Sequence, residues 1–459
     1  MNTSRRSFIA GSAAAMVSAA APQNGRLKAG LVGCGGRGTQ AAVDLLTGNP
    51  DVELTAMADV FEDHLESSLR QLRDPAFLKG NVERGAGQWN KIEATDELVR
   101  SMASRVAVQP DRHFTGFDAF EKLIHSGVDI VMLCTPPGYR PMHFEAAIEA
   151  KKHVFTEKPI ATDATGVRRF LAAAKKAEAA KLSVVSGAQR HAHRDYVETV
   201  DRIHQGQLGE IVALNSWYLS GPVFHAKGRD PKWGDMEWEH RNWYSFLWLC
   251  GDQIVEQFIH NIDFQNWVMN GHPERVAASG GCAWRGKEEL YGNIYDHLSA
   301  EFVYPNGVHL SAACRQYPRG VYNHVADLVV GTKGRSNGLD LGSHDINPYV
   351  REHKKLVDSI TGRIPYVNES RGVAESTLTC IMAREAAYSG LEITWDMAMN
   401  SKQDLMPKEF GYGEKMNLDP YGIKWSKPLT RVVESIKIMR ALWKGEPVDV
   451  QGRDVETTD

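Results

Sequence analysis

No sign of charge dominates this chain. Its 53 lysines and arginines stand against 57 aspartates and glutamates, a net charge of -4. Nucleic-acid binding needs a basic footprint, so no nucleic acid is expected as a partner. Long apolar runs are missing too. Beyond the first two dozen residues nothing approaches the roughly 20 apolar residues of a membrane-spanning helix, and no span is expected. The six cysteines, Cys34, Cys134, Cys250, Cys282, Cys314 and Cys380, are scattered and form no Cys-x-x-Cys pair. That spacing predicts free thiols and no metal site. With 42% apolar and 24% charged residues, the composition is that of an ordinary globular protein, long enough for two cores.

At the amino terminus, Arg5 and Arg6 precede a small-residue apolar run from Phe8 to Ala21, with Pro22 after it. A charged start, a short greasy middle and a small-residue exit make the layout of an export signal. The paired arginines resemble a twin-arginine signal, so residues 1–24 are expected to be a signal segment and the protein periplasmic or otherwise exported. Residues 401–459 read as a carboxyl-terminal extension or packing arm, with an amphipathic helix from Thr430 to Lys444 stopped by Gly445.

Residues 25–190 alternate strands and helices. In "LKAGLVGCGGRGTQAAVDLL" an apolar strand runs straight into Gly33, Gly35 and Gly38, and a helical pattern follows. In that context Gly33 permits the tight turn, Gly35 leaves room for a pyrophosphate, and Gly38 lets helix and strand approach. The next strand, "VELTAMAD", ends at Asp59, placed to accept hydrogen bonds from a ribose diol and to repel a 2'-phosphate. NAD is therefore expected rather than NADP, although Arg37 inside the loop leaves the phosphorylated cofactor open. Further strands in "GVDIVMLCTPP" and "HVFTEKP", with helices around Met142 to Lys151 and Gly166 to Ala180, predict a parallel sheet covered on both faces. Ligands bind beyond the carboxyl ends of such strands, so Asp59, Thr135-Pro136 and Glu157-Lys158-Pro159 should face one crevice. The interval 75–116 reads as surface elaboration.

Residues 191–400 change character. A helix from Asp195 to His204 leads into the alternating strand "IVALNSWYL", and Pro305-Asn306-Gly307 signals a hairpin. Leu298, Ala300, Phe302 and Tyr304 share one face of it. The fold class expected is α/β: an N-terminal Rossmann-type dinucleotide-binding domain, then a C-terminal α+β domain with a large open, mostly antiparallel sheet. The uncovered sheet face predicts a homo-oligomer. A late helix has Ser370 as its cap and Gly390 as its stop. Trp233, Trp238, Trp243, Tyr244 and Trp248 either pack a core or stack on a sugar ring. Read as one helix, "GDQIVEQFIHNIDF" sets Asp252, Glu256, His260 and Asp263 along a single stripe.

The strand-linked "GCGGRG", the "EKP" after a later strand and this polar helix together resemble the Gfo/Idh/MocA family of oxidoreductases, over roughly residues 25 to 400. Inositol dehydrogenase and glucose-fructose oxidoreductase belong to it. The resemblance implies cofactor contacts at Gly33, Gly35, Gly36, Arg37, Asp59, Thr135, Pro136, Glu157 and Lys158, beside the turn glycine Gly38. It implies Lys158 next to nicotinamide and substrate, His260 as the base, and Glu256 where the family usually has Asp; Asp263 matches the later Asp, and His143 lies further back. The expected function is oxidation of a secondary hydroxyl of a sugar, polyol or glycoside, with tightly bound NAD, since an exported enzyme has no free cofactor pool. Two other readings stay open: a redox-neutral NAD-dependent glycoside hydrolase, and a binding module that keeps NAD as a structural group.

Overall fold

The computed structural model describes residues 25–412, apart from 85–91, 224, 225, 227, 287, 319, 344 and 345. Residues 1–24, expected to be a signal segment, and the helix expected at Thr430 to Lys444 lie outside the described residues.

Leu27–Val32 (β1), almost continuously apolar, is buried on both faces. It centres a six-stranded parallel sheet with Val52–Asp59 (β2), His113–Thr115 (β3), Ile130–Leu133 (β4), His153–Thr156 (β5) and Val184–Ser186 (β6), in the order β3-β2-β1-β4-β5-β6. The order reverses between β1 and β4, which opens a crevice at their carboxyl ends. Ala29, Leu31 and Ile130 pack on one side against Ala42, Leu45 and Leu46 of the helix Gly36–Gly48. Val32, Val131 and Leu133 pack on the other with Phe144 and Phe170, from the helices Arg140–Glu149 and Ala164–Ala179.

The interval 75–116 is more than surface elaboration. Its helices Pro75–Arg84 and Asp96–Ser104 bury Leu78, Val99 and Met102, and it supplies β3. Three residues paired only to β2 are too short to show an alternation in sequence. A second departure is the helix Pro348–Ile360, which returns from the later half and lays Leu356 and Val357 on the first sheet. Its start was written in sequence: the Asn347 side chain accepts from Tyr349 N at 3.0 Å, and Pro348 opens the first turn.

The glycine turn is sterically closed to larger residues. Gly33 has φ +94°, and a Cβ on Gly38 would lie 1.8 Å from Gly33 O. Gly38→Ala is thus expected to destabilise the protein by about 3 kcal/mol, because backbone on both sides must shift. Urea unfolding checks this; a parent-like midpoint would contradict the close approach.

The second sheet comprises Ile211–Ser220 (β7), Arg275–Gly281 (β8), His297–Val303 (β9), His309–Gln316 (β10), His324–Gly331 (β11), Gly334–Ser336 (β12) and Ile393–Thr394 (β13). Its order is β12-β11-β7-β10-β9-β8-β13, and β10–β7 is the parallel pair in an otherwise antiparallel sheet. The β9–β10 hairpin turns at Gly307, φ +79°. Leu298, Ala300, Phe302 and Tyr304 are buried in one core with the helices Ile259–Met269 and Ser370–Ser389. Ser370–Ser389 also touches Ala164–Ala179, so one core runs through both halves. Gly390 ends that helix in the left-handed region, but its cap position is Glu369, with Ser370 already helical and bonded to Asn368. Among the described residues no helix is long and apolar enough to cross a membrane.

Residues 251–264 are not one helix. Gln253–Glu256 and Ile259–Met269 are separate, and both Gly251 (φ +81°) and Asp252 (φ +84°) leave the helical region. Asp252 turns into the interior, where its carboxylate accepts from Tyr295 N at 3.0 Å and from the Tyr388 hydroxyl. A wide turn follows, with Phe258 N donating to Gln253 O at 3.1 Å, five residues back. Asp252 is therefore removed from the expected stripe, and Glu256 and His260 approach the crevice from different segments.

Candidate active site

A cavity of about 450 Å³ opens at the carboxyl ends of β1, β2, β4 and β5 and extends to residues 240–260 of the second half. Gly33, Gly35, Gly36, Arg37 and Gly38 line its glycine end with Asp59, Thr135 and Pro136; Glu157, held by Arg37, joins them to Lys158, Glu256 and His260. The expected cofactor positions, Lys158, Glu256 and His260 meet in this one space and His143 lines it too, whereas Asp252 and Asp263 do not.

The glycine end fits a dinucleotide. Gly35 stands at the N-cap of Gly36–Gly48 with no side-chain cap bond, so the first-turn amides are left for an anion. A Cβ on Gly35 or Gly36 would meet nothing within 4 Å and would project into open space. Asp59 accepts from Cys34 N at 2.6 Å and Phe61 N at 2.9 Å, bonds that hold its carboxylate at the strand end. Its remaining lone pairs can still accept from hydroxyls. Arg37 does not stand free for a 2'-phosphate. Its guanidinium binds Glu157 (2.5 Å), Asp44 (3.3 Å) and Glu352 (3.4 Å) and lies over the Tyr349 ring. Burial alone would raise the Glu157 carboxyl, but Arg37, Arg140 and Lys158 outweigh it and hold it below its ordinary range.

At the other end Lys158 Nζ donates to Glu256 O at 2.5 Å and to Glu256 Oε1 at 3.1 Å. Glu256 Oε2 accepts from Gln257 Nε2 at 2.7 Å. Glu256 thus pairs with the lysine and does not orient His260; the break at 257–258 and the longer side chain carry its carboxylate across to Lys158. The His260 imidazole has no hydrogen-bond partner among the described residues, and the residue lines the cavity. Burial, reinforced by the positive charges of Lys158, Arg190 and Arg37, pushes its imidazole well below the ordinary value, so it is neutral at neutral pH. Asp263 is an anchor: it binds His191 Nε2 at 2.8 Å and accepts from Ser376 Oγ at 2.7 Å. Among the described residues no group of three or more His, Cys, Asp or Glu could hold a metal ion.

Several lining residues were not legible as such. Arg140 braces the Glu157-Lys158-Pro159 turn by donating to Pro159 O. Tyr139 Oη lies 2.5 Å from His240 Nε2, and His240 Nδ1 lies 2.5 Å from Met236 O. A carbonyl only accepts, so Nδ1 carries the ring proton, and Nε2 accepts a hydrogen bond from the Tyr139 hydroxyl. The tryptophan question divides: Trp238 and Trp248 are core, whereas Trp243 and Tyr244 line the cavity. The density of aromatics in 233–248 was visible in sequence, but not which of them turn inward.

Next to this wall Glu239 is buried and accepts from Trp248 Nε1 at 2.6 Å. Burial, helped by Asp235, pushes its carboxyl up to about 8. The folded state therefore binds the proton more tightly than the unfolded chain, and stability falls as pH rises from the ordinary glutamate value towards 8. Glu239→Gln keeps the acceptor without the charge. It should gain on the parent by about 1.4 kcal/mol per pH unit across that window, measured by urea unfolding at several pH values. A pH-independent difference would contradict a buried, titrating carboxyl.

Residues 27–185 match the family described as oxidoreductase family, NAD-binding Rossmann fold, and residues 196–337 match the GFO/IDH/MocA C-terminal domain. The chain is similar to myo-inositol 2-dehydrogenase of Thermotoga maritima, 22% identical over 244 residues, or 53% of this chain and 65% of that protein. It is 30% identical to 1,5-anhydro-D-fructose reductase of Ensifer adhaerens over 223 residues, 46% of this chain and 61% of that one. The alignments thus span less than two thirds of the length of these curated relatives. The scyllo-inositol dehydrogenase of Lactobacillus casei, solved with bound NAD(H) and scyllo-inositol, superposes with a TM-score of 0.57 at 17% identity, covering 80% of this chain and 99% of that one. That likeness is one of fold.

Proposed function

Because the chain belongs to the Gfo/Idh/MocA oxidoreductase family, we propose that it oxidises, reversibly, a secondary hydroxyl of a sugar or polyol with NAD. The observation carrying this reading is that Lys158 and His260, from different halves of the molecule, line the same cavity as the glycine turn. NAD, when bound, supplies the hydride acceptor. Gly33 to Gly38 and the open helix start would hold its pyrophosphate, and Asp59 its adenosine ribose. Arg37 is already engaged by three carboxylates, which favours NAD over a cofactor with a 2'-phosphate.

The remaining chemistry belongs to this chain's own side chains. Lys158 donates a charged hydrogen bond to the substrate oxygen and stabilises it as negative charge develops. His260, neutral at neutral pH, accepts the hydroxyl proton. Glu256 fixes the ammonium and, with Gln257, offers acceptors and donors to neighbouring hydroxyls. Trp243 and Tyr244 provide faces for the apolar side of a ring. The relatives named above act on or bind inositols and an anhydro sugar, which supports this substrate class.

The test has two arms. Purified protein is denatured and the released nucleotide identified, and free sugars, polyols and aryl glycosides are screened in parallel. The reading expects NAD and a rise in the near-ultraviolet absorbance of reduced nicotinamide with a free sugar or polyol. Protein that neither carries nor binds a dinucleotide would sink it. An aglycone released without net absorbance change would replace it with a redox-neutral hydrolase.

A further inference from the structure

The segment after the helix Trp395–Asn400 lies beyond both stretches matched to the family, yet it returns to the mouth of the dinucleotide crevice. It is pinned on the way. Leu405 N donates to Asp163 Oδ2 at 2.8 Å, and Gly411 N lies 3.3 Å from Met236 Sδ. Phe410 then stacks on Phe117 with ring centroids 5.6 Å apart. Tyr412 lies parallel to Phe61 at 5.5 Å and tilted against Phe117 at 4.9 Å, with His240 edge-on at 5.7 Å.

Phe61, Phe117 and His240 all line the cavity, and Phe61 follows Asp59 by two residues. If Asp59 takes the ribose, the attached base must sit beside Phe61 and Phe117. One observation remains unexplained by packing alone: the Tyr412 hydroxyl is buried and has no hydrogen-bond partner among the described residues. A buried polar atom without a partner is costly, and it is relieved when a ligand supplies one.

We propose that Tyr412, backed by Phe410, is a positioning residue that closes the adenosine end of the dinucleotide cleft and retains the cofactor there. Tyr412 acts through Phe61 and Phe117, holding both rings in place for stacking on the purine. The cover is built from three places: the dinucleotide domain gives Phe61 and Phe117, the second domain gives His240, and the late segment gives Tyr412. Cofactor leaves only when all three separate. This inference rests on the NAD reading of the same cleft.

The experiment is exchange of resident NAD for isotopically labelled NAD in the full chain, followed by mass spectrometry, with the melting temperature measured alongside. Without the Tyr412 ring, Phe61 and Phe117 lose the face that holds them for stacking on the base, so Tyr412→Ala should exchange about tenfold faster or more. Tyr412→Phe, which keeps the ring, should restore exchange to within about threefold of the parent; general loosening of the fold would not show that rescue. Phe410→Ala, one ring further from Phe61, should give a smaller acceleration in the same direction and keeps the test open if Tyr412→Ala does not fold. Exchange at the parent rate in the alanine variants overturns the proposal, as does a Tyr412→Phe variant as fast as Tyr412→Ala. A parent that binds no NAD is recognised separately, from the released nucleotide, and removes the functional reading and this one together.

Discussion

Replacing Lys158 with methionine lowers turnover at saturating cofactor by about a hundred- to a thousandfold, the loss expected when a donor to developing oxygen charge is removed. Methionine keeps most of the stem volume, so packing around the turn changes little. The ion pair does change. Lys158 and Glu256 are both nearly buried, with side chains 9% and 8% exposed. Removing one partner strands the other, at a cost of about 3–5 kcal/mol in stability. Gln257 still donates to Glu256 Oε2, which places the loss at the lower end. The two consequences separate in the double variant Lys158→Met/Glu256→Gln, which should recover most of the stability and none of the turnover. Urea unfolding and steady-state rates on the same samples check this. If the double variant regained turnover, Lys158 would be a structural partner and not a chemical one.

His260→Ala should lower turnover by about a hundred- to ten-thousandfold while NAD stays bound, because the glycine turn and Asp59, not His260, would hold the cofactor. The pH profile of the parent gives an independent check. A base must be unprotonated to act, and burial together with Lys158, Arg190 and Arg37 pushes the His260 imidazole down. Its active form therefore persists below the ordinary histidine value, and kcat/KM should stay flat from neutrality through about pH 6.5 before falling. Removing the Lys158 charge lets the imidazole rise, so the histidine resonance in Lys158→Met should titrate at higher pH. An acid limb at or above the ordinary value, or a His260→Ala variant with most of its turnover, would show that another group takes the proton.

Most of the first domain was legible because parallel strands write themselves as apolar runs ending in glycine or polar residues. Leu27–Val32 and Val52–Asp59 were readable to the residue, and so were the glycines whose missing Cβ the turn requires. β3 was lost because three residues carry no period. The helix Pro348–Ile360 was lost although Asn347-Pro348 signals its start, since nothing in a local pattern says that a late helix crosses back to the first sheet. The expected cofactor positions and Lys158, Glu256 and His260 line one cavity, yet one expected partnership did not form. Four-residue spacing implied that Glu256 faces His260, whereas Asp252, satisfied by Tyr388 and Tyr295, and the wide turn at Phe258 undo the regular helix. Such tertiary hydrogen bonds overrule a helical wheel and cannot be read from spacing. The aromatic wall was seen as composition only. Which rings pack as core and which face the cavity depends on partners far away in sequence, Tyr139 and Phe410 for Trp248 and Trp238, Ile294 and Gln316 for Tyr244.

The most direct test is a crystal structure of the complex with NAD and a polyol or sugar found in the screen. One substrate hydroxyl oxygen is expected within about 2.6–3.2 Å of both Lys158 Nζ and a ring nitrogen of His260. An oxygen that meets only one of them, with the other turned to a separate space, would contradict the mechanism.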